Sequence, residues 1–165
     1  MNNKQLIVAR IVLLTIFISF SSLTYASWSE YKNIRYMDVD GELGGQDEII
    51  IESKHGAGTG TYVEHMRIFK DDFPDLKLIF HIQTLESYFG PPEYNYDEVS
   101  EVKFTEPSPK GGSRDIAVHS KTIYYKDAEH KVVDREEDAG VKVFKWNGKK
   151  FVEDKSKGKA GGRGR

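Results

Sequence analysis

Along most of this chain apolar residues recur at every second position, and that period constrains the fold more than any other feature. A strand sends alternate side chains to opposite faces, so a period of two means a pleated surface buried on one side. The period predicts strands over Ile34–Val39, Glu48–Ser53, Tyr62–Phe69, Leu76–Glu86, Glu101–Thr105, Asp115–Tyr125, Val141–Trp146 and Lys150–Glu153. Ile, Val, Phe, Tyr and Thr dominate these runs, as a half-buried sheet favours. In the third run Val63, His65, Arg67 and Phe69 share one face, and Tyr62, Glu64, Met66 and Ile68 share the other. In the fourth, Leu76, Leu78, Phe80 and Ile82 alternate with Lys77, Ile79, His81 and Gln83.

The breaks between runs are as legible. Asp71-Asp72-Phe73-Pro74 is a turn, Phe89-Gly90-Pro91-Pro92 stops any regular element, and Glu106–Gly112 is a longer loop. Asn147-Gly148 lies between two apolar pairs, and both residues tolerate the positive φ of a tight hairpin turn. Leu85–Phe89 and the polar stretch Asp127–Asp138 each have room for a helical turn or a loop, and no long amphipathic helix is present. The expected fold is therefore all-β or mostly β: an antiparallel meander forming a small sandwich, a barrel or a partial propeller-like sheet. With 38% hydrophobic and 12% aromatic residues, the chain can build a core and is not disordered as a whole.

The first 26 residues do not belong to that fold. Lys4 and Arg10 precede the apolar stretch Ile11–Phe20, and Thr24-Tyr25-Ala26 supplies small residues for cleavage after Ala26. The expectation is a cleaved signal peptide over 1–26, a single β domain over 27–154, and a disordered basic, Gly-rich tail over 155–165. Such a protein is periplasmic or secreted and keeps no stable membrane span once the leader is removed. The alternative is an uncleaved leader serving as an anchor. The body carries 17 basic against 26 acidic side chains, and the tail five basic and none acidic. An acidic body gives no reason to expect a nucleic-acid partner, whereas the tail offers weak contact with anionic polymers.

The most informative segment is Asp38-Val39-Asp40-Gly41-Glu42-Leu43-Gly44-Gly45-Gln46-Asp47-Glu48, set between two apolar strands. Carboxylates at alternating positions, broken by glycines, can curl around a hard cation and offer several oxygens at once. The candidate metal ligands are Asp38, Asp40, Glu42, Asp47 and Glu48, with Ca2+ as the candidate ion. The competing reading is a tight acidic hairpin whose aspartates cap the turn backbone.

Asp38, Asp40, Gly41 and the exit Glu48-Ile49-Ile50 resemble the Asp-x-Asp-Gly-Asp-Gly cation loop of FG-GAP and VCBS-type repeats. The resemblance covers residues 34–55 and implies a cation loop followed by a strand. Glu42 stands where those repeats carry Asp, Leu43 replaces the second glycine, and the loop is longer than the pattern. One copy is visible, while a propeller needs several blades of about 40 residues each.

Other chemistry is sparse. The chain has no cysteine, which excludes disulfides, cysteine-bound zinc and a thiol nucleophile. His55, His65, His81, His119 and His130 show no zinc-enzyme spacing, although His65, His81 and His119 would converge on one face if their strands were neighbours. Gly56–Thr61 lacks the Lys-Ser/Thr ending of a phosphate loop, and no serine sits in a nucleophile elbow. Tyr88, Phe89, Tyr94 and Tyr96 form either a stacking platform or a packed lid. These features point to an exported, non-catalytic binding module whose partner is a protein or a cell-envelope polymer. The alternative is an exported hydrolase using the carboxylates of Asp38, Asp40, Asp47 and Glu48.

Overall fold

The computed structural model describes residues 28–157, apart from 43–44, 58–59, 73, 92–94 and 108–111. The expected leader, Tyr94 and most of the basic tail lie outside the described residues. Within them the chain is all-β. Eight strands follow one another as β1 (Trp28–Met37), β2 (Glu48–Ala57), β3 (Thr61–Asp72), β4 (Asp75–Tyr88), β5 (Tyr96–Phe104), β6 (Ile116–Tyr125), β7 (Val133–Trp146) and β8 (Phe151–Glu153). Each pairs antiparallel with the next in a single sheet of order β1 to β8, which does not close. The meander is thus as expected, in the form of one rolled sheet. None of the described residues forms a helix long and apolar enough to cross a membrane.

The inner face explains the roll. Ile50, Ile68 and Phe80 stand opposite one another across β2, β3 and β4. The same core contains Ile116 and Val118 from β6 and Phe151 from β8. Phe80 meets Phe144 edge-on at 5.2 Å and Phe151 at 6.0 Å, so the first half of the sheet folds over the second. Fully burying each Ile or Phe is worth about 1.5–3 kcal/mol, and that gain drives the curl. On the outer face Ile49 and Ile51 are buried under Phe69 and Leu76 in a smaller cluster. Ile49–Ile51 is thus apolar without interruption because β2 is covered on both sides.

Three expectations are corrected. Leu85–Phe89 does not form a helical turn, because β4 runs on to Tyr88 and pairs with Thr61. Much of Asp127–Asp138 is strand: β7 begins at Val133, and its first half is exposed. It lacks an apolar period because it faces no core, and cross-strand contacts hold it instead. Arg135 lies 3.6 Å from the Tyr124 ring, and Lys121 pairs with Glu136 at 2.9 Å. The even alternation of β4 is also broken. Ile68 faces Phe80 and Phe69 faces Leu78, which leaves Ile79 as the extra residue of a bulge with both Ile79 and Phe80 buried. Beyond β8, Lys155–Lys157 form a 3-10 turn capped by Asp154, whose Oδ1 accepts the Ser156 N–H at 3.0 Å.

Candidate cation site in the acidic hairpin

The acidic loop joins β1 to β2, and its two ends are brought together by the strand pair Met37–Glu48. Each acid near those ends first serves the backbone. Asp38 Oδ1 accepts the Gly41 N–H at 2.8 Å, and Asp40 Oδ1 accepts the Glu42 N–H at 3.1 Å. These are the turn caps expected of aspartates ahead of a glycine. Glu48 reaches back across the loop, and its Oε2 accepts the N–H groups of Val39 at 2.7 Å and Asp40 at 3.3 Å. Gly41 has φ +70°, and a Cβ there would lie 2.1 Å from the carbonyl carbon of Gly112. Only glycine lets the hairpin tip seat against the β5–β6 connection.

That connection fixes the site from the other side. The Arg114 backbone N–H donates to the Val39 carbonyl at 2.9 Å, and Arg114 Nε donates to the Asp38 carbonyl at 3.0 Å. The loop is therefore gripped by segments from both halves of the sheet.

Three of the five expected ligands converge. One carboxylate oxygen each from Asp38, Asp40 and Glu48 lies within 4.8 Å of the other two. Glu42 is drawn elsewhere, because Lys70 Nζ of β3 bridges Glu42 Oε2 and Asp40 Oδ2 at 2.5 Å each. Asp47 is exposed. Lys70 has no marker in the sequence, since only the fold brings it to a loop some thirty residues earlier. Burial alone would lower its pKa, but its bonds to Asp40 and Glu42 hold it above the usual lysine range.

Glu48 is the unusual member. It is 1% exposed, and its Oε1 is buried without a hydrogen-bond partner. Burial pushes its carboxyl pKa upward, the Val39 N–H opposes that shift, and the neighbouring Asp40 carboxylate adds to it. A buried acceptor oxygen left unpaired costs about 1–3 kcal/mol, more when charged. The arrangement thus combines two aspartates, a buried glutamate with one unused oxygen, and a resident ammonium that neutralises part of the charge. Hard oxygen donors in that number suit a cation completed by water or carbonyl oxygens.

The other expected features separate. A cavity of about 580 Å³ opens inside the roll, lined by Lys32, Arg35, Glu52, Glu64 and Asp97 among others, and by none of the five acidic-loop residues. His65 and His81 meet at 3.1 Å, but His119 lies two strands beyond β4, where it contacts Asp138 at 2.9 Å. Phe89 stacks on His130 at 4.2 Å, and Tyr88 stacks on Tyr96 at 5.8 Å. Comparison with protein-family models, with curated proteins and with solved structures finds no match to this chain.

Proposed function

We propose that this chain is an exported, non-catalytic binding module whose acidic hairpin holds a divalent cation of the calcium type. One observation carries the reading. Glu48 Oε1 is buried and unpartnered, on a side chain whose carboxylate converges with those of Asp38 and Asp40. A bound cation would supply the missing partner. The resemblance of Asp38–Gly41 and Glu48–Ile50 to the FG-GAP and VCBS cation loop supports the same assignment. The absence of the acidic-loop residues from the lining of the interior cavity favours a module over the hydrolase alternative, which needs its carboxylates around a substrate-sized space. With the cation in place the hairpin is a rigid tip that presents its exposed side to a protein or envelope-polymer partner.

The test is thermal melting of the full chain in calcium and in chelator. A ligand at one hundred times its dissociation constant stabilises the native state by about 2.7 kcal/mol, so calcium should raise the melting temperature by several degrees. Asp38→Ala combined with Asp40→Ala should abolish the difference. Equal melting of the unsubstituted protein in both conditions would refute the proposal and leave the acids as turn caps.

A further inference from the structure

The outer face carries a second cluster of ligand-type side chains, independent of the acidic hairpin. His55 on β2, His65 on β3 and His81 on β4 lie along one diagonal of the sheet. Ser53 stands opposite His65, and Arg67 stands opposite His81. Diagonal neighbours on one face come close enough for long side chains to touch. Here His65 Nδ1 and His81 Nε2 are 3.1 Å apart, and the His55 and His65 ring centroids are 5.5 Å apart.

The 3.1 Å spacing is the informative number. Two imidazole nitrogens bound to one metal at 2.0–2.1 Å, with an angle of 90–110° between the bonds, sit about 2.8–3.4 Å from each other. In the metal-free protein the same spacing is that of a hydrogen bond between the two rings, which a metal would replace by a turn of the side chains with the backbone in place. His55, whose ring lies beside that of His65, is the candidate third ligand. Its Nε2 faces Ser53 Oγ at 3.2 Å, and that oxygen also accepts an Arg67 N–H at 2.8 Å. A metal-bound histidine commonly donates its other N–H to an oxygen, which fixes the ring. In the tautomer that donates to Ser53, Nδ1 of His55 is left to bind. Burial, together with the Arg67 guanidinium, favours the neutral form of all three rings, which is the form a metal requires.

We propose that His65 and His81, with His55 turning in as the third ligand, form a binding site for a borderline transition-metal ion, Cu2+ before Ni2+ or Zn2+. Imidazole donors select these ions over calcium and magnesium. Arg67 repels any dication, so only an ion that bonds strongly to nitrogen overcomes it. Cu2+ leads because it stands highest in the affinity order for nitrogen sites.

The experiment is calorimetric titration of the full chain with Cu2+, paired with electron paramagnetic resonance of the loaded protein. The unsubstituted chain should take up one equivalent and show hyperfine coupling to at least two imidazole nitrogens. His81→Gln should weaken binding at least about tenfold, and His65→Gln with His81→Gln should remove the nitrogen coupling. His119→Gln, and Asp38→Ala with Asp40→Ala, should leave both readouts unchanged. Absence of binding by the unsubstituted chain would overturn the proposal. So would copper that keeps its affinity and spectrum after both substitutions. The resonance spectrum of the unsubstituted protein decides the question even if a variant fails to fold.

Discussion

Two polar networks in this molecule are built on carboxylates and differ in how completely they are satisfied. At the far end of the sheet Asp97 accepts the Tyr125 hydroxyl at 2.9 Å on one oxygen and faces His130 Nδ1 at 3.0 Å with the other. His130 is sandwiched between Phe89 at 4.2 Å and Tyr125 at 4.4 Å, and its Nε2 faces the Tyr88 carbonyl at 3.2 Å. Both oxygens of Asp97 and both ring nitrogens of His130 are engaged. In the acidic hairpin Asp38 and Asp40 cap the turn, but Glu48 Oε1 is buried with nothing to bond. A network that closes on itself is a staple, here tying the β6–β7 connection to β4 and β5. One that leaves a buried oxygen unused has capacity for a ligand.

Breaking the closed network should produce the largest loss. Asp97→Ala leaves His130 and Tyr125 without their acceptor and should cost about 3–4 kcal/mol, read as a lower midpoint in chemical denaturation. Insensitivity to this change would mean that the staple holds nothing together. Gly41→Ala comes next, because the residue combines a positive φ with a backbone clash. It should cost about 2 kcal/mol or more and also abolish the calcium response.

Glu48 separates the two kinds of cluster most sharply. Glu48→Ala strands the Val39 and Asp40 N–H groups and should cost about 1–3 kcal/mol. Glu48→Gln keeps an acceptor for them and removes a buried charge, so the metal-free protein should melt at the same temperature or slightly higher. Its calcium response should nevertheless vanish. Equal damage from both substitutions would make Glu48 purely structural. Lys70→Gln removes a cation that competes at Asp40 and should tighten calcium binding severalfold by calorimetry.

The alkaline limit tests the staple in a milder way. Burial first, then the bond to Asp97, pushes the Tyr125 phenol up to about 12, from an ordinary value of 10.0. A phenol with a raised folded pKa loses its proton first in the unfolded chain. Its stabilisation is therefore complete below pH 10 and is lost as the pH rises from 10 toward 12. Tyr125→Phe should flatten that decline in a pH series of melting temperatures. An unchanged slope would show that the hydroxyl is not held as described.

The sequence reveals a strand where its side chains face a core and hides it where they do not. Tyr62–Phe69 and Asp115–Tyr125 are readable because burial on one side imposes the period, and Ile49–Ile51 because burial on both sides makes a continuous apolar run. Val133–Gly140 is not, because its acidic and basic residues are stabilised by pairs across to β6. The β4 bulge at Ile79 is invisible for another reason: a register shift depends on the partner strand, which no local pattern encodes. The site divides the same way. Asp38, Asp40 and Glu48 stand out by spacing, and the short loop that joins β1 to β2 keeps them close. Lys70, Arg114, His130 and the contact between His55 and His65 are long-range consequences of strand order. Convergence of His119 with His65 and His81 required their strands to be neighbours, and β5 lies between β4 and β6.

The central claim is that the spare oxygen of Glu48 belongs to a cation. The most direct measurement is a crystal structure of the full chain grown in calcium. The expected result is an ion held by Asp38, Asp40 and Glu48 Oε1 at about 2.3–2.6 Å, with its shell completed by water or carbonyl oxygens. Well-ordered density for the hairpin with no ion between those carboxylates, and Lys70 alone balancing them, would contradict it.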